Sequence, residues 1–340
     1  MIAYRYHPGV HEPVVETVPV PTPGAGEVLV KILAAGVCGS DHSLFEGKWP
    51  YKQVFTAGHE GAGVINSLGP LVDDAYPELR PGTYVAVLGT NACMQATCTS
   101  CSSGRDNICR EPWIGIGADG MWAPYLVVPA TSVVVVPGDP ASISPAVAAV
   151  STDAVLTPYH AIRSSVRPGQ TVLILGCGGL GHNAIQIAKN CTGASCVVAC
   201  DVRESSLEAA LELGVDLTAT PDQLPVLIQE HNLSIDVVVD IVGTNVSLQT
   251  AVSAVAKGGT IVLVGLGANT VALPSVPSAQ KELTVKSTLW GRKSELKEVL
   301  QAVKEGLIRP HVETRPLHEC GAVLEEMAAG KLQTRVALIP

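Results

Sequence analysis

The sequence predicts an α/β protein in which a doubly wound parallel-sheet domain is inserted into a β-rich domain. Three observations lead there. Residues 1 to about 150 are dense in proline, glycine and short β-branched runs, such as 27–32 and Tyr84–Val87. Short strands with frequent turn signals make a partly open barrel or a sandwich. From Gln170 onward, apolar runs at Thr171–Leu175, Cys196–Cys200, 236–241, 260–264 and 283–287 alternate with helical patterns. That alternation builds a parallel sheet covered on both faces. Beyond Pro310, the prolines and the strand-like Arg335–Ile339 return to the first texture.

The elements follow from local chemistry. Leu207 and Leu211 lie one helical turn apart, and Gly214 supplies the stop. Leu296, Val299, Leu300 and Val303 obey the i, i+3, i+4, i+7 rule of an amphipathic helix closed by Gly306. A chain of 340 residues suits about two domains of roughly 150 residues each.

Composition narrows the function classes. Apolar residues are 47% and charged residues 16% of the chain, against a usual charged share of about 25%, which argues against disorder. Lys plus Arg (22) fall short of Asp plus Glu (31), for a net charge of −9, and no basic stripe gathers the cations. A nucleic-acid surface is therefore not expected. No apolar block has membrane-spanning length, and the N-terminus acquires charges and prolines too early for a secretory signal. The expectation is a soluble cytoplasmic protein with no nucleic-acid or membrane partner. Of ten cysteines, Cys177, Cys191, Cys196, Cys200 and Cys320 are scattered and read as small buried hydrophobes. Cys38 and the group Cys93, Cys98, Cys101 and Cys109 favour metal over disulfides.

Gly176, Gly178 and Gly181 form a G-x-G-x-x-G turn, with Gly179 and Leu180 between the last two, directly after a predicted strand and before a helix over 182–190. Such a loop lets backbone approach a pyrophosphate at a helix N-terminus. Asp201 ends the next apolar run, 20 positions after the last glycine, where the dinucleotide fingerprint wants a ribose-binding acid. Its charge favours NAD(H) over NADP(H), and Arg203 softens that repulsion. The alternative for Asp201 is a strand-end or helix-capping carboxylate.

Two metal constellations stand out. Four cysteines within 17 residues suit a closed tetrahedral Zn²⁺ site that staples a loop with little core of its own. A dispersed set, Cys38, His59, Glu60 and Asp153, suits an open site of three protein ligands and one exchangeable position. The bland readings are a structural His–Glu pair and, for Asp153, a helix N-cap.

Gly58-His59-Glu60-x2-Gly63-x5-Gly69-x2-Val72, with Cys38-Gly39-Ser40-Asp41, the four-cysteine lobe, Asp119-Gly120, the dinucleotide fingerprint and Gly330-Lys331…Arg335, resembles the zinc-containing alcohol dehydrogenases of the medium-chain dehydrogenase/reductase superfamily. The resemblance implies a GroES-like catalytic domain of residues 1–153 and 289–340, with a zinc lobe at about 91–112, and a Rossmann cofactor domain at 154–288. It implies two Zn²⁺ per chain: a catalytic one on Cys38, His59 and Asp153 with Glu60 as alternate ligand, and a structural one in the lobe. Asp41 would orient His59, and Ser40 would hydrogen-bond the alcohol. Thr157, Val242, Val264 and Leu266 match nicotinamide-pocket positions, and Arg335 a pyrophosphate contact. Trp49 resembles a tryptophan that narrows the alcohol pocket, and Trp113, Trp122 and Leu289 are pocket candidates by position.

Two departures matter. Four residues, not two, separate Cys93 from Cys98, and Ser43 stands where many members carry a relay histidine, with His42 one place earlier. The implied activity is interconversion of a primary or secondary alcohol and its aldehyde or ketone with NAD(H). Aspartate as third ligand leans towards secondary alcohols, by analogy. Rival readings are a polyol, hydroxy-ketone or alicyclic alcohol dehydrogenase and a non-catalytic NAD(H)- and zinc-binding redox sensor. A homodimer or homotetramer joined near the last cofactor-domain strand is expected.

Overall fold

The longest strand, Glu27–Val37, carries an almost unbroken apolar run and sits at the middle of its sheet. A strand buried on both faces needs such a run. The computed structural model describes residues 1–110, 112–332 and 334–340; Glu111, inside the expected zinc lobe, and Gln333 lie outside the described residues. The chain divides into two units, one of Met1–Leu156, Gly291–Lys304 and Pro310–Pro340, the other of Thr157–Trp290 and Glu305–Arg309.

In the first unit, Glu27–Val37 pairs antiparallel with Gly61–Leu68, Tyr125–Pro129 and Arg335–Ile339. The sheet runs in the order Val133–Val135, Tyr84–Val87, Gly61–Leu68, Glu27–Val37, Arg335–Ile339, Val312–Pro316. A smaller sheet of Val14–Thr17, Ile2–Tyr6 and Phe55–Thr56 stands apart from it. Val28, Val30, Ile32, Phe55, Ile65 and Trp122 belong to one apolar core. This is the GroES-like architecture.

The second unit holds a six-stranded, all-parallel sheet. Its strands are β1 (Thr171–Leu175), β2 (Cys196–Cys200), β3 (Leu217–Ala219), β4 (Ile235–Asp240), β5 (Val255–Leu263) and β6 (Thr284–Ser287). Their order, β3-β2-β1-β4-β5-β6, is the Rossmann order, whose strand sequence reverses beside β1. Five of these strands match the apolar runs of the sequence; β3 corresponds to none of them, and β5 starts five residues before its run at 260–264. Helix α1 (Gly179–Cys191) follows β1 and begins three residues earlier than its apolar pattern implies, because Gly178, Gly179 and Gly181 carry no hydrophobic signal.

The two units differ from the expected domain limits in three places. Residues 154–156 fall in the first unit, Leu289 falls in the second unit, and 305–309 rejoins it. Asn190 donates through Nδ2 to the Leu307 carbonyl at 2.7 Å, and Gln186 exchanges two hydrogen bonds with the Arg309 backbone at 2.8 and 3.2 Å. Those bonds tie the segment to α1, a long-range pairing that periodicity cannot show.

Candidate active site and metal clusters

Cys38 is the residue at which the long strand stops and the helix Gly39–Phe45 starts. Its backbone N–H donates to Asp41 Oδ2 at 2.9 Å, and the other oxygen of Asp41 lies 2.9 Å from His59 Nδ1. One fully buried carboxylate thus fixes both the cysteine backbone and the imidazole ring. It leaves His59 Nε2 to face Asp153 Oδ2 at 3.6 Å, while Cys38 Sγ stands 3.1 Å from the same oxygen. His59 and Glu60 occupy the turn between Phe55–Thr56 and Gly61–Leu68. Gly58 before them has φ +89°, and a Cβ there would strike the Trp122 ring.

Asp153 arrives by a less ordinary route. The chain from Pro145 to Arg163 is one helical run interrupted at Ser151–Val155 by a π turn. Ser151 and Thr152 return their hydroxyls to the carbonyls of Val147 and Ala149, both at 2.7 Å. Asp153 is therefore no N-cap but sits within the π turn, a distortion that recurs at functional sites.

The donor atoms of Cys38, His59, Glu60 and Asp153 all lie within 4.8 Å of one another, and all four residues are buried. Ligands bonded to zinc at about 2.0–2.3 Å in a tetrahedron stand about 3.3–3.8 Å apart, a range bracketed by the 3.1 Å from Cys38 Sγ to Asp153 Oδ2 and the 4.8 Å limit of the cluster. Charge agrees. Burial pushes the Glu60 carboxyl up to about 8, with Arg335 opposing and Asp153 assisting. Burial also opposes a charged His59, but Asp41 and a hydrogen bond to Asp153 raise it well above its ordinary value. Buried Glu60 Oε2 has no hydrogen-bond partner among the described residues. An excess of buried acids around one pocket is what a divalent cation neutralises. The residues fit zinc.

Cys93, Cys98, Cys101 and Cys109 form the second cluster, half-buried. Sγ–Sγ separations are 3.8 Å for Cys93–Cys101, 3.7 Å for Cys98–Cys109 and 3.5 Å for Cys109–Cys93. Four thiolates at about 2.3 Å from one zinc would be about 3.8 Å apart. The longer spacing before Cys98 is absorbed by Met94, which takes φ +53° and turns Cys93 back to the other three. The thiols share protons unevenly: a backbone hydrogen bond at Cys101 lowers Cys98 to about 7, and burial raises Cys101 to about 12.

In the second unit the glycines have separate duties. Gly176 takes φ +91°, and a Cβ on Gly181 would overlap the Gly176 carbonyl oxygen, so strand and helix can meet this closely only without side chains there. Asp201, immediately after β2, accepts from the Cys177 N–H at 2.7 Å. Val202, Val242 and Leu266, from the loops after β2, β4 and β5, are exposed apolar side chains at the carboxyl edge of the sheet, where ligands of such sheets bind. Val264, directly after β5, and Thr157, on the helix Leu156–Arg163, are buried.

Residues 24–138 match the family of alcohol dehydrogenase GroES-like domains, and residues 179–305 match the zinc-binding dehydrogenase family. A curated alcohol dehydrogenase of Geobacillus stearothermophilus is 34% identical over 320 residues, 92% of this chain and 92% of its own length. The solved acetophenone reductase of Geotrichum candidum in complex with NAD is 32% identical, with a TM-score of 0.89 over 100% of this chain and 97% of that one. The alcohol dehydrogenase of the archaeon Aeropyrum pernix is 30% identical, with a TM-score of 0.89 over 100% of both chains. The chain belongs to the zinc-dependent alcohol dehydrogenase family.

Not every expected site residue of this dehydrogenase stands where a family role would put it. Trp122 is wholly enclosed, stacked on Phe45 with ring centroids 6.1 Å apart, and donates Nε1–H to the Gly36 carbonyl at 3.3 Å. It is core packing, a correction to its expected place in the substrate wall. Trp49 is only partly buried against the same core and keeps a free face. His42 turns to Glu46, Nδ1 to Oε2 at 3.3 Å. Arg335 is buried in an ion pair with Glu60, 3.8 Å from Asp153 Oδ2. Burial opposes its charge, yet Glu60 and the other acids hold the guanidinium protonated. The Glu60–Arg335 pair joins residues 275 positions apart and left no mark in the local sequence.

Proposed function

We propose that this dehydrogenase oxidises secondary alcohols and reduces the matching ketones, with primary alcohols and aldehydes as lesser substrates, using NAD(H) in preference to NADP(H). The single observation that carries the reading is the buried Cys38–His59–Glu60–Asp153 cluster, whose mixed donors suit an exchangeable zinc position. The two relatives with solved structures described above, one an acetophenone reductase, support the reaction class. Zinc would supply a Lewis acid towards the alcohol or carbonyl oxygen, and the nicotinamide would supply the hydride exchange.

The chain's own residues do the rest. Asp41 holds the proton on His59 Nδ1, so that Nε2 is the nitrogen that would give up its proton and bind zinc. Asp153, held by the π turn, supplies the carboxylate oxygen nearest both Cys38 Sγ and His59 Nε2. Arg335 holds Glu60 aside, leaving it as a reserve donor. Ser40, half-buried on the first turn after Cys38, hydrogen-bonds the substrate oxygen and passes its proton outward. The lobe cysteines hold a second, structural zinc. Thr157, Val242, Val264 and Leu266 flank the nicotinamide, and Trp49 and Leu289 belong to the alcohol pocket. The edge strand β6, at the end of its sheet with two exposed residues, offers a pairing surface for a homodimer or homotetramer. The cytoplasm, which keeps thiols reduced, suits two thiolate-containing clusters.

Metal analysis combined with an absorbance assay of NADH formation on a panel of primary, secondary, cyclic and polyhydric alcohols tests the reading. Two zinc ions per chain and the highest kcat/KM on secondary alcohols are expected. Saturable NADH binding with no turnover on any alcohol or carbonyl compound would instead assign a redox sensor.

A further inference from the structure

Asp240 ends β4 at the carboxyl edge of the parallel sheet, and its side chain is wholly enclosed. Oδ1 accepts from the Val242 and Gly243 N–H groups, both at 2.9 Å, and Oδ2 accepts from the Ser247 hydroxyl at 2.8 Å. Burial raises the carboxyl, and those three donors oppose the rise. The backbone carbonyl of the same residue accepts from the Val264 and Gly265 N–H groups at 2.9 and 3.0 Å. Asp240 therefore holds the loop after β4 with its side chain and the loop after β5 with its main chain.

The two loops are also locked to each other. Gly267 N–H donates to the Val242 carbonyl at 3.1 Å, and Ala268 N–H donates to the Gly243 carbonyl at 3.0 Å. A Cβ on Gly243, where φ is +70°, would overlap the Gly265 carbonyl oxygen, and one on Gly265 would overlap the Ile241 carbonyl oxygen. Only bare backbone lets the loops pass this closely. Val242, Val264 and Leu266 ride on them, and Val242 and Leu266 are exposed. Packing does little to fix those two side chains, so the backbone beneath decides where they stand.

We propose that Asp240 is a positioning residue for hydride transfer, a buried brace that sets the nicotinamide wall through both loops without touching the cofactor. The inference rests on the reading that this sheet edge binds a dinucleotide with Val242, Val264 and Leu266 beside the ring. A buried N–H left without an acceptor costs its full desolvation. Without the carboxylate, the Val242 and Gly243 N–H groups would turn towards water and draw the linked loop after β5 with them.

Comparison of NADH with ADP-ribose, which lacks the nicotinamide, separates a brace for that wall from a general prop. Both ligands are titrated by calorimetry into the wild-type chain, Asp240→Ala and Asp240→Asn, with far-ultraviolet circular dichroism as the check of folding. Asp240→Ala should weaken NADH by about 10- to 100-fold and ADP-ribose by less than about threefold, since two buried N–H groups lose their acceptor. Asp240→Asn keeps an amide oxygen for those two groups and should return NADH to within about threefold of wild type. Should Asp240→Ala not fold, Ser247→Ala carries the test: it removes only the bond to Oδ2 and should cost NADH about threefold and ADP-ribose nothing. In whichever variant folds, equal weakening of the two ligands would make Asp240 a general prop and overturn the proposal. So would NADH binding as tight as in the wild type. A wild-type chain that binds neither ligand would overturn the dinucleotide reading together with the proposal.

Discussion

The two metal clusters of the catalytic unit reach four donors by opposite means. The lobe gathers four thiols from a segment whose ends are 16 positions apart, leaves them half-buried, and gives the loop only the short helices Thr99–Ser102 and Asp106–Ile108. The second cluster joins Cys38 to Asp153 across 115 positions, buries every donor, and adds Asp41 as a brace. A local thiolate cluster derives its order from the metal it binds; a dispersed one has its order imposed by the sheet and helix that carry it. The lobe should therefore answer to metal loss with structure, and the buried site with chemistry.

The strongest way to break that contrast is to remove one buried ligand. Asp153→Ala, or Cys38→Ala, should lower the metal content from two ions per chain to one and reduce kcat/KM by at least about 10³-fold, since the Lewis acid is lost. Far-ultraviolet circular dichroism should stay native, because the π-turn carboxylate orders no element by itself. Loss of both ions together, or unfolding of the whole chain, would show that the two clusters are not independent.

Removing the brace alone is a milder test. Asp41→Asn keeps the volume but withdraws the charge beside His59 Nδ1 and weakens the acceptor for the Cys38 N–H. Metal affinity at the buried site, read by competition with a chelator, should fall by about 10- to 100-fold. The lobe ion should not move. An unchanged affinity would mean that the sheet alone positions the donors.

Legibility follows the same division. The lobe could be read from spacing, apart from the Met94 turn that returns Cys93 to the cluster. β1, β2 and Arg335–Ile339 were visible as apolar runs with their ends correct, since a strand buried on both faces has no polar residue to blur it. Asp153 was visible only through a family resemblance, because a π turn has no compositional signature. The pairing of Glu60 with Arg335, the enclosure of Trp122 and the return of 305–309 to the cofactor unit are matters of long-range packing. No local pattern encodes them.

A smaller effect sharpens the account of the lobe. Lys293 donates its backbone N–H to Asp106 Oδ2 at 2.8 Å, tying the segment between Cys101 and Cys109 to the helix Lys293–Lys304, and its ammonium lies over the Tyr76 ring at 5.9 Å. Burial, helped by Lys297 and opposed by Glu78 and Asp106, lowers that amine from 10.5 to about 8. Between those values the unfolded chain holds the extra proton, so stability rises with pH across the window and the penalty is complete below its lower end. Lys293→Met keeps the backbone bond and removes the penalty. It should stabilise the protein at pH 7 by about 1–2 kcal/mol, after allowance for the solvent the ammonium still reaches. The gain should shrink towards zero as the pH approaches 10.5. Thermal melts of both proteins across that range check the sign, and a gain that grew with pH would refute it.

The smallest effect concerns His42. It follows Asp41 on the same helix, and successive residues point about 100° apart, so a helix that buries Asp41 completely aims His42 elsewhere. It meets Glu46 at 3.3 Å, and Glu46 in turn meets Lys48 at 2.7 Å. The hydrogen bond from Lys48 keeps that carboxylate below its ordinary range, so His42 faces an anion on the outer end of the helix. On the proposed mechanism, a proton leaving Ser40 would go by solvent and ribose hydroxyls rather than by His42. His42→Ala should change kcat/KM by less than about twofold at any pH from about 6 to 9, whereas Ser40→Ala should cost about 10²-fold, the lower end of what general acid–base groups supply. A loss for His42→Ala as large as that for Ser40→Ala, confined to low pH, would restore the histidine to the relay and move the proton path to the outer face of this helix.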